Sequence, residues 1–302
     1  MRCCRHVSAI DLSAGAVLRR VEWTVLRPLD GALQGDFATL FRGEGIDFRE
    51  MREYVPGDDL RRIDWNTTAR MDTPYVRDYS EDRDLTAWLL LDRSASMRFG
   101  PTGRGKDAIV VDLVACFAQL LGRGGNKLGA VLFDDGPVAT IPPRSGRTQV
   151  LRLIHELGRR EPRSQATTEL AGLLRAAVAT IRQRSLVVVI SDFISPPGWE
   201  KPLRQLAQRH DVMAIQIVDP LEHSLPDVGV IVLQDNETGD QVVVDTGDAG
   251  FRSRMAALAE EQNDALTATI RRTGLTLQTI RTDEDLLGAF LRMAHQRKMS
   301  RR

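Results

Sequence analysis

The sequence predicts an α/β protein built on a mostly parallel sheet with helices on both faces. Three observations predict it. Leu85–Leu91, Leu186–Ile190 and Val212–Val218 are apolar runs of strand length without alternation, as in strands buried on both faces. Segments of helical spacing separate them, which is the βα alternation that builds parallel sheets. Two of the runs lead into carboxylates, Asp92 and Asp192, at the strand ends where open α/β sheets place ligand sites.

In chain order, Val17 to Leu33 carries apolar residues at helical spacing broken by Pro28, which predicts one or two short helices. Gly43 to Asp84 is dense in Arg, Asp and Glu. Such a stretch is a candidate for disorder, but Tyr54, Trp65, Tyr75 and Tyr79 and the turn Pro56-Gly57-Asp58 predict an ordered, irregular or β-rich module. Leu85–Leu91 is the first buried strand. Lys106–Leu121 reads as an amphipathic helix closed by Gly122. Leu128–Phe133 and Val138–Ile141 are strands joined through the turn Asp134-Asp135-Gly136-Pro137. Helices are expected at Thr148–Arg159, Glu169–Arg184 and Glu200–Arg209, with strands at Leu186–Ile190 and Val212–Val218 between and after the last two. Val228–Leu233 and Gln241–Asp245 form a β-hairpin insertion within residues 226–248. Phe251–Arg272 is a long helix, Leu275–Ile280 a last strand and Glu284–His295 a closing helix. The chain thus divides into an N-terminal extension, 1–83, and an α/β domain, 84–302.

With 42% hydrophobic residues in 302, a full core is within reach. Lys plus Arg and Asp plus Glu number 41 each, and a zero net charge argues against a bulk nucleic-acid binder while leaving room for a local basic patch. Cys3, Cys4 and Cys116 make no disulfide framework, which fits a reduced compartment. Cys3 and Cys4 with His6 are a weak metal candidate beside the simpler reading of a mobile terminus. No signal-peptide pattern occurs, and no apolar run reaches the ~18 residues of a membrane span. The expectation is a soluble, cytoplasmic protein.

Loops after neighbouring parallel strands converge at one sheet edge, and three of them carry oxygen ligands. Asp92, Ser94 and Ser96 stand in the first, Thr167 and Thr168 in the second, and Asp192 in the third. Together they suit an all-oxygen site for a hard cation such as Mg²⁺ or Mn²⁺, with a position left for water or a partner's carboxylate. Each residue alone also has an ordinary reading: the aspartates and threonines as caps, the serines as turn residues.

The run Asp92-Arg-Ser94-Ala-Ser96-Met97, with a later Thr and Asp, resembles the metal-ion-dependent adhesion site of von Willebrand factor type A domains. The segments Gly43-Glu-Gly45-Ile-Asp-Phe48, Arg52-Glu-Tyr54-Val-Pro-Gly57-Asp58-Asp59 and Arg61-Arg-Ile-Asp64-Trp65-Asn-Thr-Thr-Ala69-Arg70 resemble the signature of domain-of-unknown-function family 58. The resemblance covers Ala38 to Asp192 closely and the rest loosely. It implies a von Willebrand A-like sheet with an N-terminal extension. It also implies Ser94, Ser96 and one threonine as direct Mg²⁺ ligands, with Asp92 and Asp192 acting directly or through water. Such families show Gly-Gly-Thr-Asp-Leu where this chain has Ala166-Thr167-Thr168-Glu169-Leu170; the register favours Thr168. Many relatives also carry membrane spans near the N-terminus, unlike this chain. The implied partner is a MoxR-type AAA+ ATPase, the pair acting as a chaperone-like system that matures or remodels protein complexes. The segment Arg52–Arg70 either buttresses the site, presents a second surface or simply packs.

Competing motifs fare worse. Gly100-Pro-Thr-Gly-Arg-Gly105-Lys106-Asp107 is nearly a phosphate-binding loop, but Asp107 replaces the required Ser or Thr, so the stretch reads as a flexible lead into the Lys106 helix. Ser94 stands where a haloacid-dehalogenase phosphatase needs its second Asp, and no Gly-x-Ser-x-Gly elbow occurs. His155, His210, His223 and His295 read as ordinary surface or helix residues. The acids interspersed among Arg49–Arg83 predict a salt-bridged face. The expected function is a metal-dependent protein-binding module whose metal is completed by a client's Asp or Glu. The rival is a metal-dependent hydrolase, a phosphoesterase or peptidase, using the same ion as Lewis acid.

Overall fold

A computed structural model describes residues 14–29, 47–56, 58–59, 63–71, 73–80, 85–100, 105–122, 125–133, 139–159, 169–234 and 241–300. Cys3, Cys4, His6, Thr167 and Thr168 lie outside them. Among the described residues no helix is long and apolar enough to cross a membrane.

Helix α1 (Ala14–Val21) runs on through a π-turn (Glu22–Leu26), and the described residues remain helical to Leu29. Pro28 therefore stands in helical backbone just after the wide turn, and the helix is not broken before it. Strand β1 (Asp47–Glu53) pairs antiparallel with β2 (Tyr75–Ser80), and α2 (Trp65–Met71) lies between them in sequence. The signature residues do local structural work here. Thr67 N–H donates to the Asp64 carboxylate at 3.0 Å, making Asp64 the cap of α2. Val55 N–H donates to the Asp58 carboxylate at 2.9 Å, closing the turn through Pro56.

The rest is the expected α/β alternation. Its elements are β3 (Thr86–Asp92), α3 (Lys106–Gly122), β4 (Lys127–Phe133), β5 (Ala139–Arg144), α4 (Arg147–Gly158), α5 (Leu170–Thr180), β6 (Leu186–Ser191), α6 (Glu200–Arg209), β7 (Asp211–Val218) and α7 (Pro220–His223). The hairpin β8 (Val230–Gln234) and β9 (Gln241–Asp245) follows, then α8 (Ala249–Arg272), β10 (Leu277–Arg281) and α9 (Leu286–Ser300). The central sheet has six strands in the order β10-β7-β6-β3-β4-β5; only the β4–β5 pairing is antiparallel. β5 is an edge strand, which is why it tolerates Pro142 and Pro143. The chain grows from β3 toward β4 on one side and returns with β6 on the other, so the order reverses between β3 and β6. Crevices for ligands open at such reversals.

Two apolar layers cover the sheet. On one face Phe117, Leu113, Phe290 and Ile215 belong to a core that also includes Val17, Val21, Leu26 and Leu29 of the N-terminal helix. On the other, Trp88, Leu90, Leu174, Val189 and Leu203 pack together. Helix α3 differs from its amphipathic expectation. It is buried on nearly every side, because α1 covers the face that would otherwise meet water. Helix α5 ends at Thr180, short of Arg184, because Ile181 turns extended and enters the core.

Candidate functional site

β3 and β6 are adjacent and parallel, with Leu91 opposite Ile190, so their C-terminal ends bring Asp92 beside Ser191. Asp92 is only 4% exposed. Its Oδ2 accepts the Ser191 hydroxyl at 2.6 Å, and its Oδ1 accepts the Ser94 N–H at 2.9 Å. The Ser94 and Ser96 hydroxyl oxygens are 2.9 Å apart. Burial, reinforced by the nearby charge of Asp192, pushes the Asp92 carboxyl up from 3.8 to about 6; the bonds from Ser191 and Ser94 pull the other way. Arg93 turns away from the site and donates to the carbonyls of Glu156 (3.2 Å) and Arg159 (2.6 Å), anchoring this loop on the C-terminal end of α4.

The loop after β6 is built differently. Ile194 N–H donates to Asp192 Oδ1 at 3.0 Å. The other oxygen, Oδ2, accepts from Lys106 Nζ at 3.0 Å. Between them Phe193 takes φ +60°, a left-handed conformation costing a bulky residue about 1–3 kcal/mol. It is held there by its N–H bond to Ser191 Oγ (2.9 Å) and by its ring against Trp199, centroids 5.6 Å apart. Farther along, Ser195 Oγ accepts the Leu170 N–H at 3.0 Å. The helix that follows Thr168 in sequence therefore starts against the Asp192 loop.

Lys106 is completely buried. Besides Asp192, its ammonium meets Glu222 Oε1 at 2.5 Å. Glu222 and Asp219 form a capping box at α7: Leu221 N–H donates to Asp219 Oδ1 (2.9 Å), and Asp219 N–H donates to Glu222 Oε2 (3.1 Å). The Thr282 hydroxyl, just past β10, donates to Asp219 Oδ2 at 2.7 Å. A polar network thus runs along the sheet edge from β3 through β6 and β7 to β10.

Residues 101–104, most of the stretch expected to lead flexibly into a helix, lie outside the described residues; Gly100, Gly105 and Lys106, which flank them, support this network. Lys106 N–H donates to the Phe99 carbonyl at 3.1 Å. Gly100 has φ +126°, and a Cβ there would lie 2.8 Å from Gly105 Cα and 2.9 Å from Asp219 Oδ2. Of the glycines that suggested a phosphate cradle, Gly100 and Gly105 serve a close crossing of the chain, and the lysine faces carboxylates.

Of the residues expected at the site, Asp92, Ser94 and Ser96 are brought together, Asp192 stands on the neighbouring strand end, and Thr168 lies outside the described residues. Sequence reasoning missed Ser191, Lys106, Glu222, Asp219 and Thr282. Two signals were present: a lysine at the head of an otherwise apolar helix, and the Asp219-Pro-Leu-Glu222 spacing of a capping box. His210, expected to be ordinary, is buried, and burial lowers its pKa; it ends α6 and precedes β7, at the opposite end of the strands.

Among the described residues no group of three or more His, Cys, Asp or Glu side chains is gathered to hold an ion. An ion at Asp92 would therefore depend on the serine hydroxyls. Carboxylate and hydroxyl oxygens do fit a hard divalent cation in kind. Asp192 fits only by parting from Lys106.

The model of the family described as Protein of unknown function DUF58 matches residues 50–265. The chain belongs to that family. Uncharacterized protein Mb1516 of Mycobacterium bovis and uncharacterized protein Rv1480 of Mycobacterium tuberculosis are each 38% identical to it over 293 residues, covering 95% of this chain and 91% of theirs. The crystal structure of conserved hypothetical protein BatB from Bacteroides thetaiotaomicron is similar at TM-score 0.46 and 16% identity, over 72% of this chain and 100% of that one. At that distance the likeness carries no argument.

Proposed function

We propose that this member of the DUF58 family is a metal-dependent protein-binding module with a von Willebrand A-like domain. It acts in the cytoplasm as an adaptor of a MoxR-type AAA+ ATPase in the maturation or remodelling of protein complexes. The observation that supports the reading is the arrangement at the strand-order reversal: the buried Asp92 with the Ser94 and Ser96 hydroxyls 2.9 Å apart. Asp92, Ser94 and Ser96 hold Mg²⁺ or Mn²⁺, with Thr168 and Asp192 completing the set. When bound, the ion offers a charge-assisted contact to an Asp or Glu of a client. The chain's own residues orient the donors. Ser191 fixes one Asp92 oxygen, Ser94 N–H fixes the other, and Arg93 anchors the loop on α4.

The test is a pull-down from native lysate with wild-type and Asp92→Ala protein, each in Mg²⁺ and in EDTA, read by mass spectrometry. Capture of a AAA+ ATPase by wild type in Mg²⁺ alone is the expected result. Equal capture in all four samples would move the interface away from the metal, and Mg²⁺-dependent turnover of a phosphoester or peptide lost in Asp92→Ala would favour the hydrolase.

A further inference from the structure

We infer that Lys106 is a built-in cation that competes with a divalent ion for Asp192, and that Glu222 is the carboxylate to which it withdraws when the ion binds. The inference rests on the metal reading above and assigns the regulation of that site.

A lysine with no solvent exposure is rare and persists only when paired. Its ammonium is a compact point charge with three donors. Two of its contacts are carboxylates, Asp192 at 3.0 Å and Glu222 at 2.5 Å. At Asp192, Oδ1 is occupied by the Ile194 N–H, which sets the loop geometry. Oδ2 is the atom whose partner can change without rebuilding that loop, and it faces Lys106. The lysine therefore does at the third loop what a bound cation does: it neutralises a carboxylate beside the buried Asp92.

Two positive charges cannot share Asp192 cheaply. Ion binding there is an exchange, and its affinity is a difference between two cations. A buried ammonium that lost its only counter-charge would oppose the exchange strongly. Glu222 removes that obstacle, because it already contacts Nζ and is itself held by Asp219 N–H through Oε2. Its side chain is also partly exposed, so it needs less compensation when its partner shifts.

The test is titration of the full chain with Mn²⁺, followed by calorimetry and by the spin-resonance signal of the free ion. Lys106→Met is expected to bind Mn²⁺ about ten-fold or more tightly than wild type, since a like charge beside the site is gone. Glu222→Gln is expected to bind roughly three-fold or more weakly, because Lys106 then has Asp192 as its remaining acidic partner here. In the Lys106→Met background the Glu222→Gln change is expected to add little, since Glu222 acts through the lysine. Equal weakening in both backgrounds would overturn the withdrawal role of Glu222. Unchanged affinity in both single variants, with Mn²⁺ bound by wild type and lost in Ser94→Ala, would overturn the inference and leave the metal reading standing. Binding by Lys106→Met but not by wild type would support it. No binding by either would remove both. If Lys106→Met does not fold, Glu222→Gln decides: weaker binding supports the exchange, equal or tighter binding overturns it.

Discussion

At the end of β3, Asp92 is met by neutral donors, the Ser191 hydroxyl and the Ser94 N–H. At the end of β6, one strand over, Asp192 is met by the ammonium of Lys106. The two residues have the same chemistry and both are buried, Asp92 as the last residue of β3 and Asp192 one residue past the end of β6. Their handling differs because helix α3 delivers its first side chain to one loop and not the other. Neutral donors leave a carboxylate's charge in place, and burial beside the charge of Asp192 raises Asp92 to about 6 although the bonds from Ser191 and Ser94 lower it. An ammonium cancels the charge, at the cost of a second buried ion. The hydroxyl side suits an incoming cation, and the lysine side already has one.

The largest break in this comparison is expected from Lys106→Met. It leaves Asp192 and Glu222 facing each other's charge without the ammonium, and removing one partner of a buried pair costs about 3–5 kcal/mol. Urea unfolding without divalent ions reads the loss. Ser191→Ala attacks the other half. It deletes the 2.6 Å bond to Asp92, and loss of a hydrogen bond to a charged acceptor costs about 1.5–3 kcal/mol by the same measurement.

A pH series sharpens the contrast. The folded Asp92 carboxyl titrates near 6 and its ordinary value is 3.8, so the native state binds the proton more readily between them. Its contribution to stability is fully present below about 3.8 and is lost as pH rises through about 6. Going from about pH 7 to about pH 5 is expected to add about 1 kcal/mol from this group. Asp92→Asn should remove that increment from the urea midpoints; an identical pH profile in both proteins would refute the assignment. The smallest effect is expected on the hairpin. Val232 and Val243 face each other across β8 and β9 and are 58% and 68% exposed. Val232→Lys should move stability by less than about 0.5 kcal/mol.

Parts of the molecule were readable because their pattern is strong. Leu186–Ser191 and Asp211–Val218 have no competing period, and a run as apolar as Leu89-Leu90-Leu91 ending in Asp92 marks a buried strand end. The helix Glu200–Arg209 followed from spacing, as did the long helix expected from Phe251; the structure starts the latter at Ala249, where Asp248 caps it through the Gly250 N–H at 2.7 Å. Strand Asp47–Glu53 and helix Trp65–Met71 were harder, since charged residues dilute the apolar period that distinguishes the two. In the site, Asp92, Ser94 and Ser96 were legible as one short run. Ser191 was overlooked beside Asp192, because a small hydroxyl next to a carboxylate looks like turn chemistry.

By itself the sequence determined the α/β class, the buried strands and the oxygen donors at their ends, because periodicity and strand termini are local properties of the chain. Tertiary structure decided the strand order that sets Asp92 beside Ser191, 99 residues away in sequence, and Lys106 on Asp192, 86 residues away. It also decided that α1 would cover α3 and turn an amphipathic helix into a buried one. The reason is physical: the sign and pairing of a buried charge depend on which distant side chain the packed helices carry into the same low-dielectric space, and no local pattern in the chain encodes that meeting.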